Sequence, residues 1–262
     1  MTLTTKITGG FSEHVTCQLD PGQSVFADAG KFRWKTTNVN LETRLSTPGG
    51  TADQANQQAQ QGGSFLKAAF ATATEVGKRV ISGQSLAFQW FTPSGGSGLV
   101  SFAGVEPGQV RAIEVESGVG WRAESRALIC AEGSVHYDID WAGFNLGRRS
   151  KEGFIFEHFT GEGTVIVAGG GSLIEMNPAD YGGKIQVHAG AVVAFSDSVN
   201  FNVERIGALN AQTIMTAAFG GTGINLVTLS GDGLVVLQST LHREFEHEER
   251  NDTRRDGIFD RL

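Results

Sequence analysis

The chain is predicted to be all-β and built from three tandem copies of one unit, on three observations. A segment pattern recurs: Phe88–Phe102 (FQWFTPSGGSGLVSF), Phe156–Val167 (FEHFTGEGTVIV) and Leu226–Leu237 (LVTLSGDGLVVL) each set two large apolar residues three apart, then Thr or Ser, a glycine-rich polar turn and a run of β-formers. The starts lie 68 and 70 residues apart, so regular a spacing with a shared internal order that it marks a triplication. The 36 glycines against 5 prolines call for tight turns between short strands.

Taken in chain order, the first landmark is a turn before an alternating strand, LDPGQSVFA around Gly22, which returns as VESGVGWRA around Gly118 and VHAGAVVA around Gly190. KFRWK sets Phe32 and Trp34 on one face against Lys31, Arg33 and Lys35, the alternation of a half-buried strand. Residues 46–64, rich in Gln and Gly and poor in large apolar side chains, read as a flexible insertion in the first unit. The following SFLKAAFATATEVGKRV puts Phe65, Leu66, Ala69 and Phe70 on one side of a short helix. VNFNVE alternates again, with Val199, Phe201 and Val203 opposite Asn200, Asn202 and Glu204. The mixed-charge tail, residues 241–262, reads as a solvated end, with Ile258 and Phe259 as its one apolar pair.

The glycine landmarks stand at 22, 118 and 190 and the aromatic ones at 88, 156 and 226, so the series opens on one type and closes on the other. If a unit is an aromatic strand followed by a glycine-turn strand, the amino- and carboxy-terminal strands complete one unit between them. The expected limits are then unit 1 over about 1–87 completed by 226–240, unit 2 over about 88–155 and unit 3 over about 156–225, all one domain spanning 1–240. Such closure removes two open sheet edges.

A net charge of −7 repels phosphate backbones and counts against DNA, RNA and anionic membranes as partners. No run of about 18 apolar residues suggests a membrane span, and the first residues carry no signal-peptide pattern. Cys17 and Cys130 form no metal spacing and no disulfide framework, so they read as buried thiols in a reducing compartment.

Candidate chemistry thins on inspection. Gly118-Val119-Gly120-Trp121-Arg122-Ala123 fits the GxGxxA dinucleotide fingerprint, with Asp138 and Asp140 near the acidic position, but that motif must open a helix, and here the glycine repeats as a β-turn. The Gly-Lys pairs at Gly30, Gly77 and Gly183 lack the Ser or Thr of a phosphate loop. The six histidines, His14, His136, His158, His188, His242 and His247, include no HxH pair; His158 and His188 are the two that could meet in one unit. Glu162 and Asp232 occupy equivalent turns in two repeats, and a carboxylate that recurs with the fold reads as a turn residue rather than half of an acid/base pair. GRRSK, residues 147–151, reads as a hairpin cap, with an anion site as the minor reading.

RVISGQSLAFQWF, the PGQ turn at Pro107, FEHFTGEGTVIVAGGG running into SLIEM, VHAGAVVAF and SGDGLVVLQS, in that order, resemble the AIM24 (DUF124) family over Thr4 to Ser239. The resemblance implies a fold similar to the tryptophan RNA-binding attenuation protein, with three such β-sandwich units around a pseudo-threefold axis. It supplies no catalytic residues. It implies an association with mitochondria and cristae in fungi, whereas the first residues here hold one Lys and no Arg, so a bacterial cytoplasmic member is expected. The expected function is a non-enzymatic binding or scaffold protein with a protein partner or itself as partner, and with no catalytic, cofactor or metal residues. Two alternatives stand beside it: a small-molecule or RNA binder using clefts between the units, and a metal-dependent β-barrel enzyme.

Overall fold

The computed structural model describes residues 2–44, 88–142, 154–204 and 226–241. The expectations for 46–64, for the helix after it, for 147–151 and for the tail beyond Leu241 fall outside the described residues. Those residues form nineteen strands and two single 3-10 turns, all strand pairings being antiparallel.

An amino-terminal strand β1 (Thr4–Gly9) is followed by three sets of six. The first holds β2 (Glu13–Leu19), β3 (Val25–Asp28), β4 (Phe32–Lys35), β5 (Val39–Arg44), β6 (Phe88–Pro93) and β7 (Gly98–Ala103). The second holds β8 (Gly108–Val115), β9 (Trp121–Glu124), β10 (Leu128–Glu132), β11 (Val135–Ala142), β12 (Phe154–Gly161) and β13 (Gly163–Gly170). The third holds β14 (Leu173–Met176), β15 (Lys184–His188), β16 (Val192–Ser196), β17 (Val199–Glu204), β18 (Leu226–Gly231) and β19 (Val235–Gln238). Each set repeats one pairing scheme: its first and third strands flank the sixth, and its second and fourth flank the fifth. Even the irregularity repeats, because the third strand is bulged against the sixth between Phe32 and Trp34, between Leu128 and Cys130, and between Val192 and Ala194.

Each unit is thus a sandwich of two three-stranded halves, and neighbouring units fuse their halves edge to edge. β3 pairs with β10 to make the six-stranded sheet β5-β6-β3-β10-β13-β8, and β9 pairs with β16 to make β11-β12-β9-β16-β19-β14. Where a fused sheet is covered on both faces its middle strands lose the polar alternation, so every residue of β3, β10 and β16 is buried, while β9 keeps it, with Trp121 and Ala123 buried and Arg122 and Glu124 half-buried. In β3 the side chains of Val25 and Ala27 enter the core of unit 1, and Phe26 enters the core of unit 2. There Phe26 stands edge-on to Phe88 with ring centroids 5.1 Å apart, and Phe88 in turn meets Tyr137 at 5.0 Å. A third core lies in unit 3 around Phe156 and Phe195, 5.1 Å apart.

The three tandem units stand, but the expected clasp between the chain ends is not formed. β19 pairs with β14 and β16 of its own unit, and β2 pairs with β1 and β7. The units therefore run in simple order, β2–β7, β8–β13 and β14–β19, and the expected ends at 87, 155 and 225 fall 16, 15 and 13 residues short of the observed ones at Ala103, Gly170 and Gln238. The outer edge of β2, which the carboxy terminus was expected to close, is covered by β1. The misstep lies at Gly190. Gly22 and Gly118, each three residues before a second strand, have φ of 92° and 84°, and the glycine at the matching place in unit 3 is Gly182, with φ 78°. Gly190 stands before the third strand of its unit instead. Conformations near φ +80° are open to glycine at little cost, which is why this turn kept its glycine in all three units.

β4 also departs from expectation. Its bulge breaks the Phe32/Trp34 face, leaving Trp34 44% exposed, while Lys31 is buried.

Candidate functional site

Two junctions between units concentrate the chemistry, and both are built on the same backbone scheme. At the first, Ala27, Phe26 and Val25 face Cys130, Ala131 and Glu132, and the Gly133 N–H donates to the Ser24 carbonyl at 2.8 Å. At the second, Ala123, Arg122 and Trp121 face Ala194, Phe195 and Ser196, and the Asp197 N–H donates to the Gly120 carbonyl at 2.9 Å.

The side chains on this common frame differ. Unit 1 places Phe26, Trp90 and Arg44 together, with the Arg44 guanidinium 4.5 Å from the centroid of the Trp90 ring. The matching positions of unit 2 hold Arg122, His158 and Asp140. Arg122 Nε donates to Asp140 at 2.7 Å, its other arm donates to Asp197 beyond the junction, and His158 Nε2 lies 2.9 Å from the same Asp197 carboxylate. This network is one-quarter to two-fifths exposed and ties β9, β11 and β12 to the loop after β16. Gly120 lies against it, so close that a Cβ would strike Asp197 and His158.

Two cavities flank the first junction. The larger, about 870 Å³, lies between the Pro21–Ser24 turn of unit 1 and the unit 2 residues Glu114, Glu116, Glu132 and Glu162. Burial raises the Glu132 carboxyl above its usual value, against the pull of the Thr164 N–H, which donates to it at 3.2 Å. The smaller, about 430 Å³, opens where the turns of all three units approach, with Lys31 of unit 1, Glu124 and Arg126 of unit 2 and Gln238 of unit 3 on its wall. The Lys31 ammonium donates to the Arg126 carbonyl at 2.9 Å; burial holds its pKa below the usual lysine value while Asp28, Glu157 and Glu124 draw it back up. Glu157 is wholly buried and accepts from the Tyr137 hydroxyl at 3.2 Å.

The residues singled out in the sequence divide among these places. Gly118–Ala123 leads into strand β9 and opens no helix, so the dinucleotide reading lacks its phosphate-binding helix terminus. Asp140 joins the Arg122 network, while Asp138 accepts from the Ile139 N–H. His158 and His188 are not brought together: His188 lies in the sheet β15-β18-β17, where its Nδ1 accepts from the Gly190 N–H at 3.1 Å. Among the described residues no three His, Cys, Asp or Glu side chains are grouped to hold a metal ion. Glu162 and Asp232 do occupy matching turns; Asp232 accepts from Asn177 at 2.8 Å, and Glu162 lines the larger cavity. Cys17 and Cys130 are free and buried side by side in the unit 1 core, where burial, and then the neighbouring Cys17, pushes the Cys130 thiol well above its ordinary value. The sequence pattern placed Lys31 only on the polar face of KFRWK and Arg122 only at a variable position of the GxGxxA stretch, neither as a site residue. For Arg122 a signal existed, a charged side chain at the repeat position where unit 1 carries Phe26.

Known proteins agree with this architecture. The family profile described as "Mitochondrial biogenesis AIM24" matches residues 5–240. An uncharacterised protein of Streptococcus pyogenes serotype M6 is 25% identical over 233 residues, covering 88% of this chain and 83% of its own. A crystal structure of a Streptococcus pyogenes protein from a structural genomics consortium superposes with a TM-score of 0.65 at 21% identity, over 97% of this chain and 99% of that one. Among the described residues no helix is long and apolar enough to cross a membrane.

Proposed function

Since this chain belongs to the AIM24 family, we propose that it is a non-enzymatic binding or scaffold protein whose working surface is the β-edge, with a protein or further copies of itself as partner. The observation carrying this reading is that both junctions between its units are made by backbone pairing of strand edges, a contact that needs shape and register more than particular side chains. The polar clusters support it, because Arg122, Asp140, His158 and Asp197 satisfy one another across a junction and Lys31 is spent on a backbone carbonyl. A bacterial cytoplasmic location belongs to the same reading, supported by the two free buried thiols. Purification from native cells at physiological salt, followed by light scattering and mass spectrometry of what is retained, should find a stoichiometric partner or a multiple of the 27.8 kDa chain. A monodisperse monomer that retains nothing would overturn the reading.

A second reading, a binder of small polar molecules at a cleft between units, is favoured by the 870 Å³ cavity. Its four carboxylates suit an amine or a cationic ligand and repel an RNA backbone. A screen of amines, amino acids, nucleotides and sugars by thermal shift, with Glu132→Gln as control, should single out amines; a flat response would remove it.

A further inference from the structure

The junctions that fuse the units define a strand edge of each kind, and each kind occurs once more, at opposite ends of the molecule. A second strand (β3, β9) offers its outer side to the third strand of the next unit (β10, β16). The remaining second strand is β15, an outer strand of the sheet β15-β18-β17, and the remaining third strand is β4, an outer strand of the sheet β1-β2-β7-β4. Among the described residues β15 pairs with β18 and β4 with β7, and neither pairs with the other. Their burial marks the difference. Of the four fused strands β3, β10 and β16 are wholly buried and β9 buries Trp121 and Ala123, whereas β4 and β15 hold no buried residue, with Trp34 44% exposed.

We infer that β15 of one chain pairs with β4 of a second copy, continuing between molecules the junction that each chain already makes twice within itself. This rests on the reading of the protein as a β-edge scaffold and adds the edges, the partner and the register. Superimposing the repeats places Trp34 at the position of Cys130 and Ala194, and Val187 at that of Ala27 and Ala123. Trp34 then faces Val187, Lys35 faces Gln186 and Thr36 faces Ile185 across the contact. The Thr37 N–H would donate to the Lys184 carbonyl, as Gly133 does to Ser24 and Asp197 to Gly120. The chemistry suits such a contact: Trp34 and Val187 would cover each other on one face, and Arg33 does not project its charge into the junction, because its guanidinium is turned back onto the carbonyls of Gly30 and Gly104. Lys35 and Lys184 put like charge on the two edges, so association should strengthen as salt screens them. The contact is head-to-tail, so it propagates to a ring or a filament and does not stop at a symmetric pair.

Directly opposed residues in an antiparallel pair have Cβ atoms about 4.5–5.5 Å apart, close enough for a small adjustment to permit a disulfide. The test mixes the full-length variants Trp34→Cys and Val187→Cys under mild oxidation, with wild type as the control for the buried native thiols. A disulfide-linked two-chain species should form in the mixture and in neither variant alone, and the doubly substituted chain should give a ladder. Lys35→Cys mixed with Gln186→Cys tests the neighbouring register in the same way. No linked species from either mixture of folded variants would overturn the inference, as would a double variant that locks into a single-chain species. Light scattering separates this from failure of the broader reading. Multimers without crosslinks move the interface elsewhere and leave the scaffold standing, whereas a partnerless monomer removes both. Gln186→Lys, which sets like charge against Lys35 at an exposed position of the edge, should return the wild-type multimer to the mass of one chain.

Discussion

Phe26 offers the sharpest perturbation of the shared sheets. It is fully buried on a strand of unit 1, yet its ring lies in the core of unit 2, 5.1 Å from Phe88 and 5.5 Å from Trp90. Phe26→Ala removes a buried ring and leaves a cavity in a sheet that is covered on both faces and cannot collapse onto it, which costs about 3–5 kcal/mol. For a chain of this size each kcal/mol lowers the melting temperature by about 2–4 °C, so the loss should be about 6–20 °C. The edge-to-face pair with Phe88 adds a coupling of about 0.5–1.5 kcal/mol, measurable in a double-mutant cycle with Phe88→Leu. Urea unfolding followed by tryptophan fluorescence supplies the free energies, and amide hydrogen exchange locates the damage. Faster exchange should reach β9–β13 as well as β3. A loss under about 1 kcal/mol, or exchange changes confined to unit 1, would refute the sharing of the sheet.

Three further outcomes follow from the junctions. Lys31→Met should cost about 3 kcal/mol in urea unfolding by leaving Glu157 and Asp28 without their buried cation, and Glu157→Gln added to it should restore part of the loss; a neutral single variant would show that Lys31 is not needed there. Glu132 has its carboxyl raised in the folded chain above the usual 4.5, so its contribution is favourable below that value and is lost as pH rises through the folded pKa. Glu132→Gln should therefore raise the melting temperature at pH 7 and give no gain near pH 4, and an equal gain at both would contradict the assignment. Gly118→Ala and Gly120→Ala separate strain from crowding: the first meets open space and pays only for its φ of 84°, about 1–2 kcal/mol, whereas the second, where φ is not positive, should loosen the His158–Asp197 contact, visible as changed His158 ring chemical shifts by NMR.

The sequence made the period of the repeat legible and left its phase open. FQWF, FEHF and LVTL are the fifth strands of three units, and a spacing measured between fifth strands says nothing of where a unit begins. The VHAG turn at Gly190 resembles VESG at Gly118 in composition, but the positive φ that ties Gly22 and Gly118 belongs to Gly182, a backbone property that residue names do not carry. β10 and β16, buried on both sides, show no alternation and gave no sign of which neighbour they would join. The failure of the dinucleotide motif was readable, because recurrence of its first glycine as a turn in another unit is independent of pairing. Lys31 was read as a polar residue opposite Phe32 and Trp34; the bulge between those two residues turns Trp34 outward, whereas Lys31, which precedes the bulge, is buried against unit 2 on the Arg126 carbonyl, a contact that no five-residue pattern carries.

The direct test of three sequential units sharing their sheets is the neighbourhood of Leu237, at the carboxy-terminal end of the repeats. Leu237 stands between Ile174 of β14 and Val192 of β16. Methyl-labelled protein should therefore give nuclear Overhauser contacts from Leu237 to Ile174 and to Val192. Contacts from Leu237 to Leu19 or Val25 would instead join the two ends of the chain in one unit and contradict the account.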